Sequence, residues 1–342
     1  MKENDFSKYL TNFLSLYLPG HRNVSVNTIA SYRDAFKLLL VFCDEIKGMK
    51  PEKITLPKLT KDLIIEFLTW LENERKSSIA TRNQRLAALH AFFRYIQKEN
   101  PENLFEIQKI LAIPYKKKSK PMVPYLTANE LKILLEQPDL KTKDGRRDLV
   151  LLAVLYDTAA RVQELVDLRI RDVRLTSPSV ITLHGKGNKT RLVPVMEKTR
   201  ALLRQYIDES KLTTGLAEME LPLFYNQQFK TLSRWGVSYI INKYVDIAKL
   251  DPHFAIDFPV TPHVFRHSKA MHLLQANVNL IYIRDFLGHV DVATTEVYAR
   301  ADSEMKRKAL ENAYLDLIPD ELPKWEKDGA LLSWLNNITA QG

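Results

Sequence analysis

A segment rich in proline and lysine divides this sequence into two parts. Between Ile113 and Pro124 the chain holds three prolines and four closely spaced lysines. Proline lacks the backbone N–H that a helix requires, and the neighbouring like charges repel one another, so we expect an extended linker over residues 113–124. With 342 residues the chain has room for a folded domain on each side of this linker. We therefore predict one domain over residues 1–112 and a second, larger domain that begins at residue 125.

The part before the linker has the apolar spacing of amphipathic helices and no convincing strand. Helical patterns open near Asn27, Thr60 and Thr81, each followed by apolar residues that recur every three or four positions. This pattern predicts a small helical bundle. After the linker, Thr127 and Glu130 have the spacing of a capping box, which predicts that the next domain opens with a helix.

The most reactive group of side chains lies near the carboxyl end. Thr261 suits the N-cap of a helix, and Pro262 suits its first position, where the missing N–H costs nothing. His263 and Arg266 are three residues apart, so they share one face near the start of this helix. Because a helix N-terminus carries positive partial charge, the arrangement suits an anion.

Two further polar residues follow this helix. A short apolar pattern ends at Gly288, which can terminate a helix in the left-handed conformation and place His289 just beyond it. Tyr298 comes nine residues later, after Thr294 and Thr295, either of which could cap a further helix. Any one of these side chains by itself is more often part of the packing than of a catalytic site, so their combination is what matters.

Two upstream segments complete the pattern. Arg161 precedes Leu165 and Leu168, whose spacing predicts a helix that begins near Arg161. Further on, two β-rich runs within residues 180–195 flank a Gly-Lys-Gly-Asn turn, which predicts a hairpin with Lys186 at its tip. A basic hairpin tip alone would be read as a solvated turn.

Together these motifs resemble the tyrosine recombinase (phage integrase) family, in particular its Xer-like members. The resemblance implies a mainly α fold with a small β-hairpin or sheet (α+β), with a helical-bundle core-binding domain at residues 1–112 and a catalytic domain at residues 125–302. The family commonly has glycine where this chain has Ala159, so we expect a slightly different turn before Arg161. The resemblance assigns catalytic roles to Arg161, Lys186, His263, Arg266, His289 and Tyr298.

The implied reaction is the cleavage and rejoining of DNA strands through a covalent 3′-phosphotyrosine intermediate. Tyr298 would be the nucleophile, His263 its general base and Lys186 the general acid for the departing 5′-oxygen. Arg161 and Arg266 would clamp the nonbridging oxygens of the phosphate, because a guanidinium donates two parallel hydrogen bonds and stays charged.

Three neighbouring residues have lesser expected roles. His289 is expected to donate a hydrogen bond to the phosphate. Glu164, three residues after Arg161, is expected to orient other groups rather than to carry a proton. His267 is expected to be structural.

The net charge of +9 suggests an anionic partner, although charge alone could equally serve solubility. The resemblance implies that this partner is double-stranded DNA. Residues 1–120 hold 21 Lys and Arg against 13 Asp and Glu, so most of the excess lies in the predicted bundle and linker. Asn83 is a candidate for contact with a base edge, and each bundle residue could equally belong to a solvated helix face. The candidate phosphate contacts are Arg82, Arg85, Arg94, Lys116, Lys117, Lys118 and Lys120.

Composition argues against several other classes of protein. The sequence contains one cysteine, Cys43, in an apolar stretch that favours core packing, and it has neither a zinc-type Cys/His cluster nor a P-loop. We expect no metal and no cofactor. The longest apolar run, Leu149 to Tyr156, is too short for a bilayer, and the first residues lack the apolar core of a secretion signal. We therefore expect a cytoplasmic protein with no membrane partner.

The resemblance also implies an assembly, with a dimer on each DNA site and a tetramer in synapsis. Residues 303–342 form a predicted C-terminal tail with two apolar helical stripes, which could dock on a neighbouring protomer or pack within its own chain. Two alternatives compete with a recombinase: a type IB topoisomerase, disfavoured by the Xer-like bundle, and a DNA-binding protein with an inactive site, disfavoured by the six catalytic candidates. The purpose of recombination, whether integration and excision, transposition or dimer resolution, stays open.

Overall fold

The computed structural model describes most of the chain, as two compact units. The described residues are 5–117, 123–185, 189–210, 218–226, 228, 230–288 and Thr295. The chain divides between Pro121 and Met122, inside the predicted linker. The finer domain limits stay predictions, and the predicted tail at 303–342 lies outside the described residues.

The N-terminal unit is helical in its described part. Its α-helices are α1 (Asp5–Asn12), α2 (Val26–Glu45), α3 (Lys61–Asn73), α4 (Ile79–Glu99) and α5 (Leu104–Leu111), with a π-helical segment at Phe13–His21 and 3-10 turns at Pro51–Lys53, Leu56–Lys58 and Pro101–Asn103. The side chains of Ser25, Thr60 and Ser78 cap α2, α3 and α4 by accepting backbone N–H bonds. The three predicted helices are thus confirmed, with α2 and α4 beginning one and two residues earlier than expected.

Aromatic side chains fill the core of this unit. The ring of Phe92 lies 5.4 Å from that of Phe13 and 5.1 Å from that of Phe36, both at the steep angles that aromatic pairs favour. Cys43 is fully buried beside them, and burial raises the pKa of its thiol to about 11. Core packing therefore accounts for this cysteine, as expected.

The C-terminal unit combines helices with a small antiparallel sheet. Its helices are α6 (Ala128–Leu135), α7 (Lys143–Thr158), α8 (Val162–Val166), α9 (Glu197–Glu209), α10 (Arg234–Ala248), α11 (Pro262–Gln275) and α12 (Leu280–Leu287), with 3-10 turns at Ile170–Asp172 and Glu218–Glu220. Its strands are β1 (Val173–Arg174), β2 (Val180–Gly185) and β3 (Lys189–Pro194). The predicted mainly α fold with a small sheet is confirmed, as is the capping box of Thr127 and Glu130 on α6.

The sheet is built on the predicted hairpin. Strands β2 and β3 pair in register from Val180 with Pro194 to Gly185 with Lys189, and the short β1, which the sequence did not predict, adds to the other side of β2. Ile181 and Leu183 alternate along β2 and are fully buried, so one face of the sheet packs on the core.

Helix α7 lies at the centre of the unit and determines where the site forms. It is apolar on most sides, because Val150, Leu151, Leu152, Val154 and Leu155 are all buried. It packs against α9 and α11, and the contacts of Arg266 with Ala159 and of Lys269 with Asp157 place its C-terminal end beside the first turns of α11. The two arginine motifs of the sequence are therefore brought to one end of α7. Within the described part of the chain, none of the helices is both long and apolar enough to cross a membrane.

Candidate active site

The turn after α7 sets the position of Arg161. Ala159 ends the helix with φ +47° and ψ +36°, the left-handed conformation that glycine adopts freely and alanine adopts at a cost of about 1 to 2 kcal/mol. The turn therefore has the left-handed conformation that a glycine would favour, and the expected effect of alanine on it stays a prediction. Arg161 follows as the N-cap residue of α8, with extended backbone.

Arg266 holds this turn from α11. Its side chain is buried, with 3% exposure, and its Nη1 donates to the carbonyl oxygen of Ala159 at 2.6 Å. Its Nη2 donates to the carbonyl oxygen of Leu287 at the end of α12. One guanidinium thus joins α11, the turn before Arg161 and the end of α12, which supports the unusual backbone of Ala159.

The side chain of Arg161 lies against an acid and a backbone carbonyl. Its Nη1 donates to Oε1 of Glu164 at 2.7 Å, and its Nη2 donates to the carbonyl of Gly288 at 3.4 Å. The backbone N–H of Arg161 donates to the other oxygen of Glu164 at 2.8 Å. Because the side chain stays 36% exposed, its remaining N–H groups can reach an anion in solvent.

Glu164 is ionised and fixed between two arginines. Arg191 on β3 donates to Oε1 and Oε2 of Glu164 at 2.9 and 2.7 Å, in the parallel fork that suits a carboxylate. Burial alone would raise the pKa of Glu164, but the hydrogen bonds from Arg191 and Arg161 outweigh it and hold the pKa at about 2. A carboxyl with this pKa does not carry protons near neutral pH, which fits the expected orienting role.

Arg191 is the residue of this cluster that the sequence reasoning did not single out. It lies opposite the fully buried Leu183 and two positions before the buried Val193, so it occupies the inward face of the hairpin. The sequence signal that could have identified Arg191 is its place on the inward face of a predicted strand, because a buried charge requires a partner.

His263 lies at the start of α11, close enough to Arg266 and Arg161 to feel their charges. Partial burial lowers the pKa of its imidazole, and the positive charges of Arg266 and Arg161 lower it further. The residue still keeps solvent-accessible surface, and its imidazole is neutral at neutral pH, the form that accepts a proton. Helix α11 begins as predicted, with Thr261 at the N-cap and Pro262 at the first position, although the Thr261 side chain makes no capping bond.

Neighbouring groups on α11 tie the site to the scaffold. The ring of His267 stacks at 6.3 Å from that of His263, and burial lowers the pKa of His267 to about 4. Nζ of Lys269 donates to Asp157 at the end of α7 at 3.0 Å, and Thr199 of α9 donates to the same carboxylate at 2.6 Å. These contacts fix α11 against α7 and α9.

Gly288 terminates α12 and directly precedes the candidate His289 in sequence. Its φ of +62° confirms the predicted left-handed terminator. His289, Lys186 and Tyr298 lie outside the described residues. The described residues contain no group of three or more His, Cys, Asp or Glu that could hold a metal ion.

Comparison with known sequences assigns the family. A profile of the phage integrase family matches residues 124–305, and a profile of the N-terminal SAM-like domain of phage integrases matches residues 1–102. Protein y4rC of Sinorhizobium fredii, named as a candidate integrase or recombinase, is 35% identical over 98% of this chain and 99% of its own length. The chain belongs to the phage integrase family.

Two further comparisons place this recombinase among the Xer-like and integrase members. The tyrosine recombinase XerD of Pseudomonas putida is 31% identical over 81% of this chain and 87% of its own length. A crystal structure of the XerH site-specific recombinase, in a post-cleavage complex with a palindromic difH substrate, is 25% identical with a TM-score of 0.65 and covers 85% of this chain and 80% of that one. The protein is therefore an enzyme that breaks and rejoins DNA at specific sites by means of a tyrosine.

The predicted DNA contacts of the recombinase occupy varied positions in the N-terminal unit. Arg82 is only 6% exposed, and its Nη1 donates to the carbonyl oxygen of Pro114 at 3.2 Å and to Asn83 Oδ1 at 3.1 Å. Arg85 donates to the carbonyl oxygen of Ser31 at 3.0 Å, whereas Arg94 is exposed. Arg82 and Arg85 therefore have internal roles, and their contact with DNA stays a prediction.

The first half of the predicted linker is held on the bundle. Asn83 Nδ2 donates to the carbonyl of Lys116 at 2.8 Å, and the N–H of Lys116 donates back to Asn83 Oδ1 at 3.1 Å. The Tyr115 hydroxyl lies 3.3 Å from Nδ1 of the buried His90, and Lys116 Nζ bonds Glu72 at 2.8 Å. Residues 113–117 have no helix or strand, as expected for an extended segment, but they pack on the bundle. Lys117 is exposed, and Lys118 and Lys120 lie outside the described residues.

Proposed function

We propose that the recombinase exchanges DNA strands through a covalent 3′-phosphotyrosine formed by Tyr298, in the site framed by Arg161, Arg266 and His263. One observation carries this proposal. Arg161 lies more than 100 residues before His263 and Arg266 in sequence, yet Arg266 binds the turn before Arg161 and both arginines lower the pKa of His263. A neutral base beside two fixed cations is what attack on a phosphodiester requires.

The two arginines have separable tasks. The Arg161 side chain is 36% exposed and would bind a nonbridging oxygen of the scissile phosphate. Arg266 donates to two backbone carbonyls, so it would keep the frame rigid while its charge stabilises the phosphate. Cations that are fixed before the substrate arrives stabilise the extra charge of the transition state without reorganisation.

The chemical step conserves the number of phosphate ester bonds. The Tyr298 oxygen attacks phosphorus and its proton passes to His263, while the bond from phosphorus to the 5′-oxygen breaks and that oxygen takes a proton from Lys186. His289 would donate to the phosphate. A 5′-hydroxyl of another strand then reverses the step, so the tyrosyl ester supplies the bond energy and no cofactor is needed.

The DNA would be held by both units. We propose a core-binding domain at residues 1–112, a basic linker at 113–124, a catalytic domain at 125–302 and a C-terminal helical tail at 303–342. Two protomers would bind each site and four would form the synapse, in the cytoplasm where bacterial DNA is found. The charge excess within residues 1–120 supports DNA contact by the N-terminal unit.

The first experiment must find the DNA. We would incubate the Tyr298→Phe variant with fragments of the source genome, recover bound fragments and sequence them. A nicked suicide substrate built on the enriched site then tests cleavage by the unmodified protein, because the departing strand segment diffuses away and traps the intermediate. A protein–DNA adduct on a denaturing gel is expected, and its absence on DNA that the protein binds would contradict the proposal.

A second assay separates recombination from DNA relaxation. Two copies of the site on one plasmid should yield inverted or excised products, and a plasmid with one copy should yield none. If the protein instead relaxed a single supercoiled plasmid at an equal rate with or without the site, the type IB topoisomerase alternative would be correct.

A further inference from the structure

We propose that Arg191 is a positioning residue for Arg161 and acts through Glu164. The inference rests on the proposed function, in which Arg161 binds the scissile phosphate. Arg191 would not touch the DNA, and its contribution would be to hold the catalytic guanidinium in place and to keep its charge available.

The fork between Arg191 and Glu164 is the first basis for this role. Both Nη atoms of Arg191 donate to Glu164, at 2.9 and 2.7 Å, and one of the accepting oxygens also receives Nη1 of Arg161 at 2.7 Å. Glu164 is 3% exposed at its side chain and Arg191 is 13% exposed, so the pair is shielded from water. A bidentate contact of this kind fixes the plane of the carboxylate and hence the direction of Arg161.

The charge balance of the cluster is the second basis. Glu164 alone would pair with Arg161 one to one, and its negative charge would offset the attraction between Arg161 and a phosphate. With Arg191 present, two cations share one anion and the cluster keeps a net charge of +1. The second cation thus leaves Arg161 able to attract the phosphate at short range.

Gly288 provides a second path from Arg191 to Arg161. The Arg191 side chain packs on this glycine so closely that a Cβ there would lie 3.2 Å from Arg191 Cδ and 3.3 Å from its Nη1. The carbonyl of the same glycine accepts from Nη2 of Arg161. Arg191 therefore supports both side-chain hydrogen-bond acceptors of Arg161.

Direct contact between Arg191 and DNA fits the geometry less well. Both of its Nη atoms are committed to Glu164, and among the described residues its buried Nε has no hydrogen-bond acceptor. The side chain also occupies the inward face of the hairpin, opposite Leu183. An experiment must therefore distinguish a positioning role of Arg191 from a purely structural one.

A double-mutant cycle makes this separation. Arg191→Lys keeps the charge and loses the fork, and Arg191→Met loses both. Each is made in the unmodified chain and in an Arg161→Ala background, and single-turnover cleavage of the suicide substrate is followed at saturating DNA. In the unmodified chain we expect cleavage to slow about tenfold for lysine and about a hundredfold for methionine, with DNA affinity changed less than about twofold.

In the Arg161→Ala background we expect either change to slow the residual cleavage by less than about threefold, because the residue through which Arg191 acts is gone. Arg146→Lys is the matched control, since Arg146 donates to Glu209 at 2.8 Å in a pair remote in sequence from Arg161 and Glu164, and its cleavage rate should not change. If Arg191→Met unfolds, Arg191→Met with Glu164→Gln removes the isolated buried charge and should cleave as slowly as Arg191→Met is expected to.

The outcomes separate the two proposals. An unmodified protein that binds its site and forms no adduct refutes the proposed function. An unmodified protein that cleaves, with Arg191 losses of equal size in both backgrounds or with DNA affinity falling in parallel with cleavage, overturns the positioning role and leaves the proposed function standing.

Discussion

Arg161 and Arg266, the two arginines proposed to bind the scissile phosphate, are held in different ways, and the difference predicts different effects of their removal. Arg266 is buried and binds two backbone carbonyls, whereas Arg161 is partly exposed and binds a carboxylate that Arg191 also binds. Removal of Arg266 would leave the buried carbonyl oxygens of Ala159 and Leu287 without this hydrogen-bond donor, whereas removal of Arg161 would leave Glu164 still paired with Arg191.

We therefore predict that Arg266→Ala destabilises the protein by about 2 to 4 kcal/mol and Arg161→Ala by about 1 kcal/mol or less, while both lower cleavage by at least about a hundredfold. Urea unfolding gives the stabilities and the suicide substrate gives the rates. Equal destabilisation by the two variants would contradict the assignment of Arg266 to the frame.

The pH dependence of cleavage tests His263 as the general base. Its pKa in the folded protein lies below the usual value near 6.5, so it stays neutral, and able to accept a proton, at lower pH than an ordinary histidine. At subsaturating DNA, where the rate reports the free protein, cleavage should stay level as pH falls to about 6.5 and should decrease below it.

His263→Gln is the control for this profile. It should be slow and should lack the decrease between about pH 6.5 and pH 5, since no imidazole is left to protonate at that position. A midpoint at or above 6.5 in the unmodified protein would show that another group, or a differently placed histidine, controls the rate.

At the scale of elements, local signals and distant contacts were unequally predictable. The caps of Thr60 and Thr127 and the terminator Gly288 depend on neighbours within a few residues, so the sequence indicates them directly. The alanine at position 159 keeps the glycine-like turn because Arg266, from another helix, binds its carbonyl. No local pattern contains that contact.

The partners of polar residues on α4 and β3 were likewise not predictable from the local sequence. Arg82 and Asn83 have the sequence spacing of a solvated or DNA-facing helix surface, yet both hydrogen-bond the 114–116 segment. Arg191 likewise meets Glu164 across 27 residues of sequence. Whether such a polar residue faces solvent or another segment depends on tertiary packing. The spacing of apolar residues and the composition do not determine it.

The two hydrogen bonds between Asn83 and Lys116 predict how readily a protease cuts the linker. Asn83→Ala removes two hydrogen bonds that hold Lys116 on the bundle, so limited digestion with trypsin should cut after Lys116 several-fold faster. Gln84→Ala is the matched control, because Gln84 bonds Ser31 on α2 instead and should leave that cut unchanged. An unchanged rate in Asn83→Ala would mean that Tyr115 and the Lys116 ion pair hold the segment without it.

Across the whole molecule, most of the excess of positive over negative charge lies in residues 1–120, while the catalytic candidates lie beyond residue 160. This division suits an enzyme that gains affinity from phosphate contacts in one unit and does chemistry in the other. It also means that affinity and cleavage should respond to different substitutions.

Salt dependence of DNA binding tests that division. Arg94 is exposed, so Arg94→Gln should weaken binding to all sequences alike and lower the slope of log affinity against log salt by about one. Arg82 is buried, so Arg82→Gln should leave the slope nearly unchanged and lower the melting temperature instead. The reverse pattern would indicate that Arg82 leaves its internal contacts and reaches the DNA.

The identity of the residue joined to DNA tests the central claim most directly. The adduct from the suicide substrate can be digested with nuclease and protease, and mass spectrometry can then locate the residue that carries the 3′-phosphonucleotide. We predict that the modified peptide contains Tyr298 as the linked residue and that Tyr298→Phe forms no adduct on the same DNA. A link to any other residue, or an adduct that persists in Tyr298→Phe, would contradict the account.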